Sequence, residues 1–186
     1  MESGHWRVSL RTLRSAMAAM TWTRGYTAAE LERAQSRFSL TFPSDLIELL
    51  LDRRPVDGTD WNNEEIVRAQ LAWPFEGLLF DVEETGLWWP EWGDRPAEEE
   101  ERAEVLGGVL RRAPTLIPIF GHRYLPATPG RPGNPVFSVY QSDIIHYGAD
   151  LCDYIDREEN GVGSKPWPKQ VREIDFWSEM VRRNVG

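Results

Sequence analysis

Leu31, Ala34 and Phe38 recur at intervals of three and four residues, and Leu46, Ile47, Leu49, Leu50 and Leu51 crowd a second stretch. Such spacing gathers apolar side chains on one face of a helix and predicts two buried helices. Thr27-x-x-Glu30 has the form of a capping box, in which the Thr hydroxyl and the Glu carboxylate each satisfy a free amide. Phe42-Pro43-Ser44-Asp45 restarts the chain, because a proline in the first helical turn forfeits no hydrogen bond. Asp57-Gly58 predicts a turn. Asn62 or Asn63 caps a third, short helix to about Leu71, and Trp73-Pro74 stops it.

Period two then takes over. Leu78-Leu79-Phe80-Asp81-Val82-Glu83 predicts a strand, with Leu87 to Trp89 as its hairpin partner beyond Gly86. Pro96 and Glu98 to Glu101 open a helix, acids being favourable at its positive end. Gly107-Gly108 predicts a bend or an early end there. Residues 116–120, 123–127, 136–140 and 144–147 predict short strands split by turn residues, with Pro118 and Pro126 at edge or terminal positions. Between them, 126–135 reads as a long exposed loop. Leu151 to Glu158 predicts a helix with Cys152 on its inward face. After Gly161-Val162-Gly163, a last helix carries Val171, Ile174, Trp177 and Val181 on one stripe. Helices around a run of strands give an α+β fold, a central and mainly antiparallel sheet with flanking helices. It forms one domain over 26–186. Residues 1–25 stand apart as a basic helical arm, with Arg7, Arg11, Arg14 and Arg24 against Glu2 alone. The arm packs on its own domain or on a second copy; an Arg-rich transit peptide is the other reading.

Charge sharpens this picture. The formal net charge is −9. Residues 76–104 hold 11 acids and two bases, so that segment alone accounts for it. A broad nucleic-acid surface is excluded, since neutralising phosphates requires clustered Lys and Arg. A regional acidic face points instead to a protein partner with a basic surface. The bland alternative is that Glu98, Glu99, Glu100 and Glu101 are a solvated helix start. No apolar run approaches the roughly 18 residues that span a bilayer, which leaves no membrane role. One cysteine, Cys152, permits no internal disulfide and fits a reducing, cytoplasmic location.

Four constellations are candidates for chemistry. Asp81 and Glu83, on one strand face, form a carboxylate pair for a metal or for acid–base work, or a structural pair held by Arg95 or Arg123. No further acid or His stands at ligand spacing, so no metal or other cofactor is implied. Cys152 and His146 lie six residues apart, but nothing in that spacing brings them together, and Cys152 reads as a small buried hydrophobe. Gly161-Val162-Gly163-Ser164-Lys165 has the wrong order and setting for a phosphate loop and reads as a flexible linker. His122-Arg123-Tyr124 follows Gly121 at a strand end. It lines a pocket for an anion or peptide carboxylate, or forms a hairpin whose Arg123 pairs with a core acid. The tryptophans carry the most weight: Trp88, Trp89 and Trp92 fall within five residues, among acids. Strand alternation places one of Trp88 and Trp89 in the core and the other on the surface, while Trp92 plugs a turn; the other reading puts all three in the core. An exposed Trp is a frequent binding anchor.

Three sets of residues carry a resemblance. They are the helix, Phe42-Pro43-x-Asp45-Leu46 and Leu-rich helix over 31–51; then Phe80-Asp81-Val82-Glu83, Trp88/Trp89, Trp92-Gly93 and Arg95-Pro96. The third set is Leu116-Ile117-Pro118-Ile119, Gly121-His122-Arg123-Tyr124, Asn134-Pro135-Val136-Phe137-Ser138-Val139-Tyr140, Asp143-Ile144-Ile145 and Tyr147-Gly148. In this order they resemble the SUKH superfamily, in the branch of the yeast cell-wall assembly regulator and its bacterial relatives. The resemblance spans roughly 27–183. It implies an α+β domain with a non-enzymatic binding role, either an immunity protein that occludes a toxin or a regulatory adaptor. Many relatives carry Gly-Asp where this chain has Gly121-His122-Arg123. The competing class is a small enzyme with Asp81, Glu83, His122 and Arg123 in one cleft.

Overall fold

The computed structural model describes residues 20–161 and 163–184. Among these, the elements run β1 (Trp22–Arg24), α1 (Ala28–Phe38), α2 (Ser44–Asp52), β2 (Arg53–Pro55), α3 (Glu64–Glu84), a 3-10 turn (Pro90–Trp92) and α4 (Glu99–Leu110). There follow β3 (Leu116–Phe120), β4 (Arg123–Pro126), β5 (Val136–Tyr140), β6 (Asp143–Gly148), α5 (Leu151–Asn160) and α6 (Trp177–Asn184). The fold is α+β. Strands β3-β4-β5-β6 form an antiparallel meander in chain order, and β1 pairs antiparallel with β2 in a small second sheet.

The meander is covered on both faces. Ile117, Ile119, Leu125 and Val136 join Leu31, Leu46, Leu50, Leu151 and Tyr154 in one core, under α1, α2 and α5. Leu116, Tyr124, Phe137 and Val139 join Leu78, Val82, Leu106, Trp177 and Met180 in another, under α3, α4 and α6. This alternation follows from the pleat, which sends successive side chains to opposite faces. Burial on both faces explains why β3 and β5 read as nearly unbroken apolar runs. Pro118 lies on the edge strand β3 and Pro126 ends β4, where a missing N–H disturbs least.

The capping box at Thr27 is complete: the Thr27 hydroxyl accepts from the Glu30 amide, and the Glu30 carboxylate accepts from the Thr27 amide at 2.7 Å. Pro43 occupies the N-cap of α2 rather than its first turn. In α2, Leu46 and Leu50 are buried, whereas Leu51 is exposed. Helix α4 continues through Gly107-Gly108 and ends at Leu110. The last helix begins only at Trp177; Val171 and Ile174 precede it in irregular chain. Met20 is buried in the core and residues 22–24 pair with β2, so the domain begins before the expected boundary at 25/26. The arm over 1–19, with Arg7, Arg11 and Arg14, lies outside the described residues.

The main correction falls on 78–83, which is not a strand. It is the last third of α3, and Leu87 to Trp89 is not its hairpin partner but leads into the 3-10 turn. Phe75, Leu78 and Val82 stand at helical spacing and face the second core, while Leu71, one turn before Phe75, packs against the first. A second apolar stripe, Ile66, Trp73 and Phe80, lies on the outer side and is exposed. Apolar residues on two sides blur the 3.6-residue period, and the local alternation of 78–83 mimics a strand.

Helix α3 also runs straight through Pro74. Proline has no N–H for the carbonyl four residues back, here Gln70. The Tyr124 hydroxyl, brought in by β4, donates to that Gln70 carbonyl at 2.8 Å. A tertiary hydrogen bond thus replaces the missing helical one. Burial raises the Tyr124 pKa well above the usual phenol range, so the hydroxyl keeps its proton.

Candidate functional site

Asp81 and Glu83 are two residues apart on a helix, which turns them about 200° from each other. The shared strand face is therefore lost. The Asp81 carboxylate is buried and accepts from the Ser142 amide at 2.8 Å and from its hydroxyl. It fastens the end of α3 to the β5–β6 turn. Close approach at this point requires a glycine: a Cβ on Gly77 would meet Gln141 Cα at 3.0 Å. Glu83 receives both Nε and Nη2 of Arg102. That hydrogen-bonded guanidinium holds the Glu83 carboxyl below the usual carboxylate range. The guanidinium expected from Arg95 or Arg123 is thus supplied by Arg102. Arg95 instead donates to the Val82 carbonyl at 2.8 Å.

His122, Arg123 and Tyr124 diverge. Tyr124 points into the second core and to Gln70. Arg123 turns to the other face of the sheet, its guanidinium 3.5 Å from the Tyr147 ring centroid and its Nε 3.6 Å from a Glu158 carboxylate oxygen. Nη1 donates to Ser138 Oγ at 3.0 Å. Arg123 therefore pairs with an internal acid and leaves no anion pocket behind it. His122 lies at the mouth of an apolar hollow with Tyr124, Trp73, Tyr140, Ala69 and Gln70, of about 330 Å³. Partial enclosure and the nearby Arg123 charge lower the His122 pKa. Of the six pocket candidates, His122 and Tyr124 line this cavity together.

The tryptophans form one aromatic cluster. Trp89 is buried, with Trp92 at 5.1 Å and Phe176 at 5.6 Å between centroids, and the Arg183 guanidinium 3.9 Å from its ring centroid. Trp88 meets Trp92 edge to face at 5.4 Å and donates its indole N–H to the Gly93 carbonyl at 2.7 Å. Trp88 and Trp92 are half-buried and pack against the second core. Arg183 ties the cluster to α6 through Glu91 and Glu179. Glu98 caps α4 by position and Glu99, Glu100 and Glu101 fill its first turn; all four are exposed. None of the four forms an ion pair among the described residues.

Cys152 is exposed, contrary to the expected inward position, because Leu151 and Tyr154 take the core-facing side of α5. His146 stacks on Phe137 at 5.0 Å, on the opposite sheet face from α5. The pair does not meet. Lys165, assigned to a flexible linker, instead pairs with Asp153 at 3.0 Å and Asp156 at 2.8 Å. Among the described residues, no cluster of three or more His, Cys, Asp or Glu has metal-site geometry, and no helix is long and apolar enough to cross a membrane.

Compared with protein-family models, curated proteins and solved structures, the chain gives no match. The residues missing from the sequence-based site are Trp73, Tyr140 and Gln70. Their one legible signal is the seven-residue spacing of Ile66, Trp73 and Phe80, which continues a helix past Pro74.

Proposed function

We propose that this chain is a non-enzymatic, cytoplasmic protein-binding module, a toxin-neutralising immunity protein of the SUKH type. It acts by occlusion of a basic partner surface. The observation that carries the reading is the exposed run Glu98–Glu101, which forms no ion pair among the described residues, whereas the acids Asp81, Glu83 and Asp153 are each consumed inside the domain. Four exposed carboxylates at a helix start steer a cationic partner at long range. Beside them, Trp88 offers a half-buried aromatic edge, while Trp89 serves as scaffold. The resemblance adds support: two of its three residue sets fall on the α1–α2 pair and on the β3–β6 meander. An adaptor role uses the same surface and differs only in the partner. The rival cleft of Asp81, Glu83, His122 and Arg123 finds no support, since each side chain is held by different neighbours.

Changing Glu98, Glu99, Glu100 and Glu101 together to Gln is expected to slow association with the physiological partner and flatten its salt dependence. Screening acts over about 8 Å at physiological ionic strength, so raising salt should bring the two proteins together in rate. Trp88→Ala is expected to speed dissociation and leave the salt effect intact. Surface-plasmon kinetics at two ionic strengths, on partner captured from the native host, measures both. Unchanged on-rates in a folded Gln variant would reduce the run to a solvated helix start.

A further inference from the structure

The outer stripe of α3 has no role in the domain's two cores, yet it is apolar. Trp73 is 41 % exposed and Tyr140, across from it on β5, is 54 % exposed. Their ring centroids are 6.2 Å apart at 56°, and the His122 ring stands 6.3 Å from Tyr140 at 76°. Three steeply inclined rings therefore wall one hollow of about 330 Å³, floored by Ala69, Gln70 and Tyr124. Trp73 is fixed there, because its indole N–H donates to the Val139 carbonyl at 3.1 Å. Gly77 and Asp81 clamp the same helix to the β5–β6 turn next to Tyr140, so the walls are set before any ligand arrives.

Elsewhere several aromatic rings, two of them buried, lie under the chain's own cations. Arg53 lies over Trp22, Arg54 over Tyr26, Arg157 over Trp167 and Arg183 over Trp89, at 3.9–4.8 Å. Trp73 and Tyr140 have no such cation among the described residues. Exposed acids flank them: Glu76 is one helical turn from Trp73, and Asp143 is the cross-strand partner of Tyr140. Neither acid forms an ion pair among the described residues. Arg68, five residues before Trp73 on α3, pairs with Glu64, and Arg123, next to His122, is turned to the opposite sheet face. Ring faces carry negative charge density, and a cation within about 6 Å of a ring centroid is attracted.

We propose that this aromatic hollow is a second binding site, which takes the side chain of an arginine presented by a partner protein. The guanidinium enters the hollow that the inclined Trp73 and Tyr140 rings wall on one side, and its aliphatic stem lies along the apolar stripe of α3. Arginine fits better than lysine because its planar, weakly hydrated head stacks on rings. Glu76 and Asp143 supply the surrounding negative potential. A lowered His122 pKa keeps that ring neutral, so it adds an aromatic wall and no competing charge. The site is separate from the Glu98–Glu101 run, and its test needs no physiological partner.

The test is a heteronuclear NMR titration of the full chain with N-acetyl-arginine amide, against the uncharged isostere N-acetyl-citrulline amide. The expected result is saturable shifts at the Trp73 indole N–H and at the amides of Gly121, His122 and Tyr140. The citrulline compound should bind about fivefold more weakly. Tyr140→Ala, at an exposed position without hydrogen bonds to lose, should abolish the response while leaving the remaining spectrum in place. Equal binding of both compounds would overturn the proposal by making the hollow merely apolar. So would an absence of shifts at these residues, or shifts that persist in Tyr140→Ala. A concentration-dependent dimer broken by Tyr140→Ala would assign the patch to a second copy of the chain and overturn it as well.

Discussion

Asp153→Ala is expected to lower the stability of the fold by about 3–5 kcal/mol, the range found when one partner of a buried ion pair is removed. Asp153 and Arg157 are 6 % and 2 % exposed. One Asp153 oxygen accepts from Arg157 Nε and from the Ala149 amide, both at 2.8 Å, and the other faces Lys165 at 3.0 Å. Arg157 in turn reaches the Lys165 and Pro166 carbonyls and stacks under Trp167. The pair therefore binds helix α5 to residues 165–167, and truncating the acid removes a carboxylate that faces a buried guanidinium. Burial alone would raise the Asp153 pKa, but hydrogen bonds from Arg157, Ala149 and Lys165 outweigh it and hold the pKa down at about 2. With the folded value below the unfolded one, the unfolded chain binds the proton more readily. The stabilisation is complete above about pH 4 and is lost as the pH falls toward 2. Urea melts of the two proteins should diverge most near neutrality and converge at the acid end. A constant difference across that range would refute the assignment.

Tyr124→Phe is expected to cost about 1–3 kcal/mol, the penalty of an unsatisfied buried polar group. The lost hydroxyl is the donor to the Gln70 carbonyl that Pro74 leaves free. The decisive result is the cycle with Pro74→Ala. Alanine restores an N–H for that carbonyl, so Tyr124→Phe should cost less in the Pro74→Ala background than in the natural chain. Pro74 is itself buried, and some of the alanine gain will be offset by lost packing. Additive effects in thermal melts would show that the hydroxyl does not stand in for the proline's missing donor.

Local chemistry in the sequence determined much of this protein. The capping box at Thr27, the two helices around Phe42-Pro43, the acidic opening of α4 and the four strands of the meander all follow from short-range patterns, because caps, turns and alternation act within a few residues. The acidity of 76–104 was equally legible, since charge is carried by composition alone. Other features were decided by tertiary contacts. Pro74 ends a helix in isolation; here Tyr124, 50 residues further on, supplies the donor that lets α3 continue. That continuation turns Asp81 and Glu83 apart, gives Glu83 to Arg102 instead of Arg95 or Arg123, and brings Trp73 opposite Tyr140. Whether Cys152 or Leu151 faces inward depended on how α5 rotates to bury Tyr154 against Gly148, where a Cβ would come within 2.6 Å of the Tyr154 Cβ. Periodicity assigns a residue to a face of its own element. Only packing decides which element that face meets, and so which side chains become neighbours.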